Sequence, residues 1–225
     1  MASSQNRRLF RDKKGFFMAK KQLKDYPDIV LRPEKTIGKV NFLDIFGRNS
    51  PVHIEIGSGR GTFLVNQALA FPDVNFLGIE WTNKYYRYAV DRLGRKKIGN
   101  VRIIRTEAAS FLAEHINDNS IKCFHIYFPD PWPKKRHHKR RLICEKNIGQ
   151  MIRCLKKRGL INIATDHAEY FEQMKKVFEN FAKELKPVEF VRPAGAQDNE
   201  LVGTNYERKY IKEKRNIFTL AFKKI

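Results

Sequence analysis

Segments with strand-like and helix-like patterns alternate along most of this chain, and this alternation restricts its fold more than any other feature. Runs of branched and aromatic residues predict strands at residues 52–56, 74–79, 101–105, 121–128 and 160–165. Helical patterns follow them, and the clearest carries a core-facing stripe of Tyr170, Phe171, Met174, Val177, Phe178, Phe181 and Leu185. We therefore predict a mostly parallel sheet with helices packed on both faces.

The C-terminal part of this pattern predicts three further elements. Residues 142–157 are expected to form a helix that Gly159 ends, because glycine is a common helix stop. Residues 187–191 are a shorter predicted strand. Residues 217–222 are expected to form a last strand that pairs antiparallel at the edge of the sheet.

Five acidic residues lie close to the ends of the predicted strands. Glu55 lies within the first strand, and the others lie at or just past the ends of strands two to five: Glu80, Glu107, Asp130 and Asp166. Ligands of such sheets bind outside the carboxyl ends of the strands, so these acids should converge on one crevice. A cluster of carboxylates in a basic chain suits a ligand with positive charge or with ribose hydroxyls.

A glycine-rich turn connects the first strand to the first helix. Gly57, Gly59 and Gly61 have G-x-G-x-G spacing, and the third glycine of a G-x-G-x-x-G motif is replaced by Thr62. Such a turn serves a dinucleotide or S-adenosylmethionine equally well, and an acid about 20 residues later binds ribose in both. Glu55 and Glu107 favour S-adenosylmethionine, because its amino and sulfonium groups are cationic.

A loop stiffened by prolines follows the fourth strand. Pro129, Pro131 and Pro133 prevent helix or ladder formation, so Asp130 is held in an exposed loop. Trp132 either stacks on a base or anchors the loop to the body of the protein. A dense cationic run follows, and we expect phosphate contacts from Lys134, Lys135, Arg136, Lys139, Arg140 and Arg141.

The charge of the chain indicates a polyanionic partner. The 225 residues include 45 Lys and Arg against 24 Asp and Glu, which gives a formal charge of +21. Nucleic acid is the simplest partner, and an anionic membrane surface is the competing one. We expect no membrane span or signal peptide, because no apolar run is long enough. Cys123, Cys144 and Cys154 lack metal-ligand spacing, so we expect no metal and a cytoplasmic location with reduced thiols.

Two regions differ in pattern. Residues 1–35 form a basic leader without clear periodicity, and we expect an arm that is poorly ordered in isolation. Residues 36–225 are expected to form one catalytic domain. A monomer or a homodimer without an obligatory protein partner is the expected form.

Several motifs together resemble the bacterial tRNA (guanine-N7-)-methyltransferase family from about residue 35 onward. They are the segments 55–61 (EIGSGRG), 77–80 (LGIE), 128–137 (FPDPWPKKRH), 164–166 (ATD) and 204–207 (TNYE). The resemblance implies a Rossmann-like class I methyltransferase with a mostly parallel seven-stranded sheet and an antiparallel C-terminal edge strand. It also implies transfer of a methyl group from S-adenosylmethionine to N7 of the guanine at position 46, in the variable loop of tRNA.

The same resemblance assigns roles to individual residues. It implies cofactor binding by Glu55, Gly57, Gly59, Gly61, Glu80, Glu107 and Asp130. Asp130 is also the implied catalytic residue, and the implied substrate contacts are Lys134, Asp166, Thr204, Asn205, Tyr206 and Glu207. Glu107 departs from the Asp or Asn of the family. Residues 204–207 also fit a helix capping box, which is compatible with substrate contact.

Two roles for Asp130 follow from the chemistry of guanine. N7 carries a lone pair and no proton, so no general base is required. The carboxylate either stabilises positive charge that develops on the ring or accepts hydrogen bonds from N1–H and N2–H. Two alternatives to the methyltransferase hypothesis are a dinucleotide-dependent oxidoreductase, which leaves the charge unexplained, and a non-catalytic RNA-binding protein, which leaves the acids unexplained.

Overall fold

A computed structural model describes most of the chain. It covers the backbone of residues 9–11 and 17–19 and the full residues 22–32 and 38–225. Leu9–Arg11 (β1) and Phe17–Ala19 (β2) pair antiparallel. Most of the predicted arm, residues 1–35, lies outside the described residues, and its poor order in isolation stays a prediction. Within residues 22–32, however, Ile29 is buried against the domain and Tyr26 packs beside it.

Within the described residues, the main sheet has eight strands in the order β3-β6-β5-β4-β7-β8-β10-β9. The first six in this order run parallel, and β10 is antiparallel to both of its neighbours. The strands are β3 (Val30–Leu31), β4 (Val52–Ile56), β5 (Asn75–Ile79), β6 (Val101–Ile104), β7 (Ile121–Tyr127), β8 (Leu155–Thr165), β9 (Leu185–Pro187) and β10 (Phe218–Lys224).

The predicted mostly parallel sheet is confirmed, with two differences at its edges. Eight strands replace the predicted seven, because Val30–Leu31 adds a short parallel strand beside β6. The C-terminal strand β10 is antiparallel as predicted but is not the edge strand. The backbone of β9 pairs with its outer side, from Leu185 opposite Lys224 to Pro187 opposite Phe222.

Helices cover both faces of the sheet. They are α1 (Phe42–Phe46), α2 (Thr62–Ala70), α3 (Asn83–Arg95), α4 (Ala108–His115), α5 (Glu145–Cys154), α6 (Ala168–Glu179) and α7 (Asn205–Lys212). The buried residues of α2 and α3 pack with β5 and β6 in one apolar cluster. Those of α4, α5 and α6 form a second cluster on the other face. Four residues of the predicted stripe lie on α6 and belong to this second cluster, namely Tyr170, Met174, Val177 and Phe178, and the Phe178 ring stacks on Phe222 at 4.0 Å. Phe171 instead stacks on Phe218 at 4.9 Å, and Phe181 and Leu185 lie beyond the end of α6 at Glu179.

The predicted boundary between α5 and the next strand is wrong. The helix ends at Cys154, and β8 starts at Leu155, ten residues before Thr165. Arg158 adopts a φ of 60°, and the pairing with β7 shifts register nearby. Gly159 lies so close to the Lys156 carbonyl that a Cβ would be 2.8 Å from its oxygen. The glycine therefore permits an irregular strand and does not end a helix.

No helix among the described residues is both long enough and apolar enough to cross a membrane.

Candidate functional site

The glycine loop turns sharply between β4 and α2. Gly57, Gly59 and Gly61 have φ values of 81°, 55° and 69°, a region that residues with a Cβ rarely adopt. The Gly57 N–H donates to the Ile79 carbonyl at 2.9 Å, which ties the loop to the end of β5. A Cβ on Gly61 would lie 3.1 Å from that of Ala89, so this glycine also allows α3 to approach closely. The predicted glycine turn is therefore required by both conformation and packing.

Glu80 holds the glycine loop in place. Its Oε2 accepts a hydrogen bond from the Gly59 N–H at 2.8 Å, and its Oε1 accepts one from the Thr82 N–H at 2.7 Å. The side chain is 6% exposed. Each carboxylate oxygen has a second lone pair, so Glu80 is still able to accept hydrogen bonds from a ligand hydroxyl.

Glu55 is a buried acid whose hydrogen bonding is incomplete. It is 4% exposed, and its Oε2 has no hydrogen-bond partner among the described residues. Burial raises the pKa of Glu55 to about 8, against a smaller opposing effect of the Ser58 hydroxyl. A buried carboxyl in this state gains most from a cationic partner, because such a partner favours its ionised form.

Two adjoining cavities open at the carboxyl ends of the parallel strands. The larger cleft, of about 530 Å³, is lined by four of the predicted acids, namely Glu80, Glu107, Asp130 and Asp166. The smaller cavity, of about 240 Å³, lies between the glycine loop and α7 and is lined by the fifth acid, Glu55. Gly57, Gly59, Tyr85, Tyr127 and Tyr206 border both. The five acids therefore converge on one composite site.

Glu107 lies at the start of α4 and caps this helix. Its carboxylate accepts hydrogen bonds from the N–H groups of Ala109 at 3.0 Å and Ser110 at 2.7 Å. Partial burial raises the pKa of Glu107, but these hydrogen bonds outweigh it and hold the pKa below the ordinary value. The capping explains how a longer acid is accommodated here, and the side chain still borders the larger cleft.

Asp130 lies exposed on a loop with an unusual backbone. Phe128 and Trp132, on either side of it, have φ values of 55° and 44°. Trp132 contacts the 3-10 helix Lys135–Arg140, with the His137 ring at 5.8 Å and the Arg140 guanidinium at 5.0 Å. These contacts support the anchoring role of Trp132, although its side chain also borders the larger cleft.

The cationic run divides into two parts. Five of its predicted phosphate contacts are exposed, namely Lys134, Lys135, Arg136, Lys139 and Arg140. Arg141 is 3% exposed and points inward, so its assignment as a phosphate contact is wrong. Its guanidinium donates to the Pro131 carbonyl at 2.8 Å and to both Glu169 oxygens, at 3.0 and 2.6 Å. It therefore fixes the base of the proline loop.

The predicted substrate contacts at the start of α7 fall into two groups, one at the smaller cavity and one buried. Thr204 caps the helix by accepting from the Glu207 N–H at 3.1 Å, and Asn205 and Tyr206 are exposed beside the smaller cavity. Glu207 is 0% exposed, and its carboxylate accepts from the N–H groups of Leu201, Val202 and Gly203. This position corrects the prediction that Glu207 contacts the substrate, because it instead holds the loop before the helix.

Asp166 is paired with an arginine that the sequence did not single out. The Arg215 guanidinium donates to Asp166 Oδ2 at 2.7 Å, and both side chains border the larger cleft. Trp81, which is 66% exposed and follows Glu80 directly, borders the same cleft. The sequence could have indicated Trp81 as a site residue, because it directly follows an acid at the end of a predicted strand.

A buried polar group on β4 and β7 was also missed. The possible ligand atoms of His53, Cys123 and His125 lie within 4.8 Å of one another. His53 Nδ1 and His125 Nε2 are already hydrogen-bonded to each other at 3.1 Å. The signal in the sequence was the placement of polar residues at alternate positions of two predicted strands, which puts them on one face.

Comparison with known proteins identifies the class to which this fold and site belong. Residues 49–220 match a family model described as a putative methyltransferase. Similar solved folds include a SAM-dependent methyltransferase from Aquifex aeolicus, at 13% identity and TM-score 0.54, covering 82% of this chain and 88% of that one. An antibiotic-related methyltransferase has 16% identity and TM-score 0.55, with 81% and 92% coverage. The chain is a Rossmann-like methyltransferase.

Relatives with higher identity define the family more closely. A tRNA (guanine-N7-)-methyltransferase from Streptococcus thermophilus is 32% identical over 209 residues, covering 92% of this chain and 95% of that protein. An enzyme with the same name from Alkalilimnicola ehrlichii is 36% identical over 182 residues, covering 80% of this chain and 75% of that protein. The chain belongs to the tRNA (guanine-N7-)-methyltransferase family. The predicted family is confirmed, and the oxidoreductase and the non-catalytic RNA-binding protein are set aside.

Substitution of Glu55 by Gln should change the pH dependence of stability. The unfolded carboxyl ionises near its ordinary pKa, whereas the folded one keeps its proton up to pH of about 8. The wild-type free energy of unfolding therefore falls as pH rises through this window, and Glu55→Gln removes this loss. We expect the stability of the variant relative to wild type to increase by up to about 4 kcal/mol between pH 5 and pH 9.

Urea denaturation at the two pH values measures this change. Glu189→Gln is the matched control, because Glu189 is an exposed glutamate and its substitution should leave the pH dependence unaltered. A Glu55→Gln curve parallel to that of wild type would contradict the buried, protonated state of Glu55.

Proposed function

We propose that this enzyme transfers a methyl group from S-adenosylmethionine to N7 of the guanine at position 46, in the variable loop of tRNA. Methylation of guanine N7 in tRNA is the activity that the family is named for. The choice of the variable-loop guanine rests on the resemblance of the motifs. Asp130 carries the proposal, because it is exposed at the border of the larger cleft and lies four positions before Lys134, the first of the exposed cations.

The residues of the two cavities fit S-adenosylmethionine, which supplies an electrophilic methyl group on a sulfonium. Glu55 has a buried oxygen without a partner among the described residues, and this suits the amino group of the donor. Arg60 and Lys209 border the same cavity and suit the carboxylate of the donor. Glu80 and Glu107 border the larger cleft, where their remaining lone pairs suit ribose hydroxyls and adenine. Gly57 and Gly59 allow the backbone to approach the ligand.

The chemical task of the protein is alignment. Guanine N7 is nucleophilic without loss of a proton, so no side chain needs to act as a general base. Holding N7 in line with the methyl carbon and the sulfur supplies on the order of 7–11 kcal/mol of the barrier reduction. The proline loop serves this purpose, because its root is fixed by the buried Arg141.

Asp130 is best suited to orient the guanine through hydrogen bonds. Its carboxylate is exposed, and charge stabilisation at an exposed site is weakened by water. Two carboxylate oxygens match the N1–H and N2–H donors of guanine, and this pairing would select guanine over adenine. Asp166 borders the same cleft as a second carboxylate, and its Oδ2 is paired with Arg215.

The exposed cations then hold the RNA around the target base. Five cations of this segment are exposed, namely Lys134, Lys135, Arg136, Lys139 and Arg140, and Arg140 also borders the larger cleft. Asn205 and Tyr206 border the smaller cavity beside the glycine loop. Phosphate binding by such a surface is independent of sequence, so the guanine is selected by the cleft and not by this run. We place the enzyme in the cytoplasm as a monomer or a homodimer.

Mapping of the methylated nucleotide tests substrate, reaction and position together. We expect labelled methyl groups from S-adenosylmethionine to enter an unmodified tRNA transcript at guanine 46, with one methyl group per molecule. Reduction and aniline cleavage, which cut RNA at 7-methylguanosine, locate the product. A transcript with adenine at position 46 is the control and should remain unlabelled. Cleavage at another guanine would reject the assigned position.

Asp130→Asn should lower kcat/KM for tRNA about 100-fold, as removal of one oriented polar group in an active site commonly does. The proposed hydrogen bonds also predict how the wild type treats a tRNA with inosine at position 46, which lacks N2–H. Inosine should reduce wild-type kcat/KM but have little further effect in Asp130→Asn. An equal inosine penalty in both enzymes would favour charge stabilisation over hydrogen bonding. The melting temperature of Asp130→Asn, compared with that of wild type, serves as the folding control.

Removal of one exposed cation from the loop should weaken the salt dependence of tRNA binding. Lys134→Ala and Lys139→Ala should each make the slope of log K against log [salt] shallower by about 0.7–0.9, since one phosphate contact is lost. Lys156→Ala is the matched control, because Lys156 is an equally exposed lysine at the opposite end of the parallel strands. Equal slopes for wild type, Lys134→Ala and Lys139→Ala would exclude the loop as the RNA contact.

A further inference from the structure

A row of polar side chains crosses one face of the sheet beneath α2. His53 and Glu55 lie on β4, and Cys123, His125 and Tyr127 lie at alternate positions of β7. The two strands pair with His53 opposite Cys123 and Glu55 opposite His125. Side chains at alternate positions share a face, so the row runs from the middle of the sheet to the cavities.

Three members of this row form a continuous hydrogen-bonded chain, which we call the His–His–Tyr chain. His53 Nδ1 and His125 Nε2 are 3.1 Å apart, and His125 Nδ1 and the Tyr127 hydroxyl are 2.9 Å apart. Both ring nitrogens of His125 are therefore used. His125 and Tyr127 are each 6% exposed, so water does not replace these bonds.

Packing fixes the rings of the chain. The Phe63 ring of α2 lies 4.8 Å from the ring of His125 and 5.0 Å from that of Tyr127. Phe76 of β5 meets the His53 ring edge-on at 5.3 Å. Phe190 lies 6.4 Å from Tyr127 on a further side. Because these surrounding side chains are apolar, the rings of His53, His125 and Tyr127 are oriented by the hydrogen bonds within the chain.

Burial also determines the protonation states of the three side chains in the His–His–Tyr chain. It lowers the pKa of His53 to about 4, lowers that of His125 well below its ordinary value and raises that of Tyr127. Both imidazoles are therefore neutral and the phenol is protonated at neutral pH. A neutral imidazole donates through one nitrogen and accepts through the other, so the chain has a direction. When His53 donates to His125 and His125 donates to Tyr127, the Tyr127 O–H is free to donate to another acceptor.

Tyr127 is the member of the chain that reaches the site. It borders both cavities, and the smaller one also contains Glu55, Arg60 and Lys209. Glu55 lies close enough to contribute to the raised pKa of Tyr127. A hydroxyl donor at this position complements a carboxylate, either that of Glu55 or that of an amino-acid ligand.

We propose that the His–His–Tyr chain is a positioning device that presents the Tyr127 hydroxyl as a hydrogen-bond donor to the amino-acid end of the methyl donor, beside Glu55. The proposal rests on the proposed function for the identity of the ligand. It assigns Tyr127 to ligand contact, and it assigns His125 and His53 to the orientation of Tyr127.

A double-mutant cycle with S-adenosylmethionine binding as the readout tests this proposal. Tyr127→Phe removes only the hydroxyl and should weaken binding about three- to tenfold in calorimetric titration, as expected for one lost hydrogen bond. His125→Leu should weaken binding to a similar extent in the wild-type background. It should have little further effect when Tyr127 is already Phe, because His125 acts through the hydroxyl.

A second substitution of His125 distinguishes orientation of Tyr127 from a general packing effect on the affinity. His125→Asn places an amide near the position of Nδ1 and should recover part of the affinity that His125→Leu loses. His53→Gln, at the half-buried end of the chain, should give a smaller loss of affinity than either. Cys123→Ala is the matched control, because Cys123 is buried on the same face but is not a member of the chain. Its affinity should equal that of wild type even if its melting temperature falls.

Three outcomes would overturn the proposal. The first is additive losses of affinity from His125→Leu and Tyr127→Phe, and the second is unchanged affinity in Tyr127→Phe. The third is stoichiometric zinc in the purified wild type that is lost in both His53→Gln and Cys123→Ala, because these residues would then belong to a metal centre. Failure of the proposed function would instead appear as tight donor binding without methylation of tRNA, so the two failures are distinguishable.

Discussion

The bidentate contact of the Glu80 carboxylate is the interaction on which the site depends. One oxygen accepts from Gly59 in the glycine loop, and the other accepts from Thr82, which precedes α3. A glycine turn has little conformational preference of its own, so it requires an external anchor. Because the loop borders both cavities, the position of this one side chain determines where the walls of the site lie relative to the sheet.

Three buried glutamates in the region show that the same type of side chain has either a structural role or a ligand-binding role. Glu80 and Glu207 have backbone N–H donors around their carboxylates, and each fixes a loop. Glu55 is as deeply buried but has an oxygen without a partner among the described residues. Buried polar groups in native proteins are almost always satisfied, so an unsatisfied one indicates a place for a ligand. Burial alone therefore does not distinguish a structural acid from a binding one, whereas the hydrogen-bond inventory does.

Local patterns predicted the parts of this structure that depend on local physics. The alternation of elements gave the parallel sheet, and the parallel direction of the strands then required their terminal acids to converge. The burial of Arg141 and Glu207 was not predictable in this way. Arg141 ends a run of exposed cations, and its partner Glu169 lies 28 positions away. Glu207 fits a capping box in the sequence, yet its carboxylate bonds to the backbone before the cap. Both depend on tertiary contacts that a sequence window does not contain.

The proline loop keeps Asp130 both exposed and fixed in position. A carboxylate that contacts a nucleobase of a large RNA must lie at the surface of the protein. Deep burial would also raise its pKa and remove its charge. Exposed loops are usually mobile, and a mobile acid does not align reactants. Here Phe128 and Trp132 adopt left-handed backbone conformations that cost of order 1–3 kcal/mol each. Such strain persists only where surrounding contacts impose it, and the buried Arg141 with its hydrogen bond to Pro131 is one such contact. Asp130 is therefore held in place by contacts at the base of the loop, while its own side chain stays exposed.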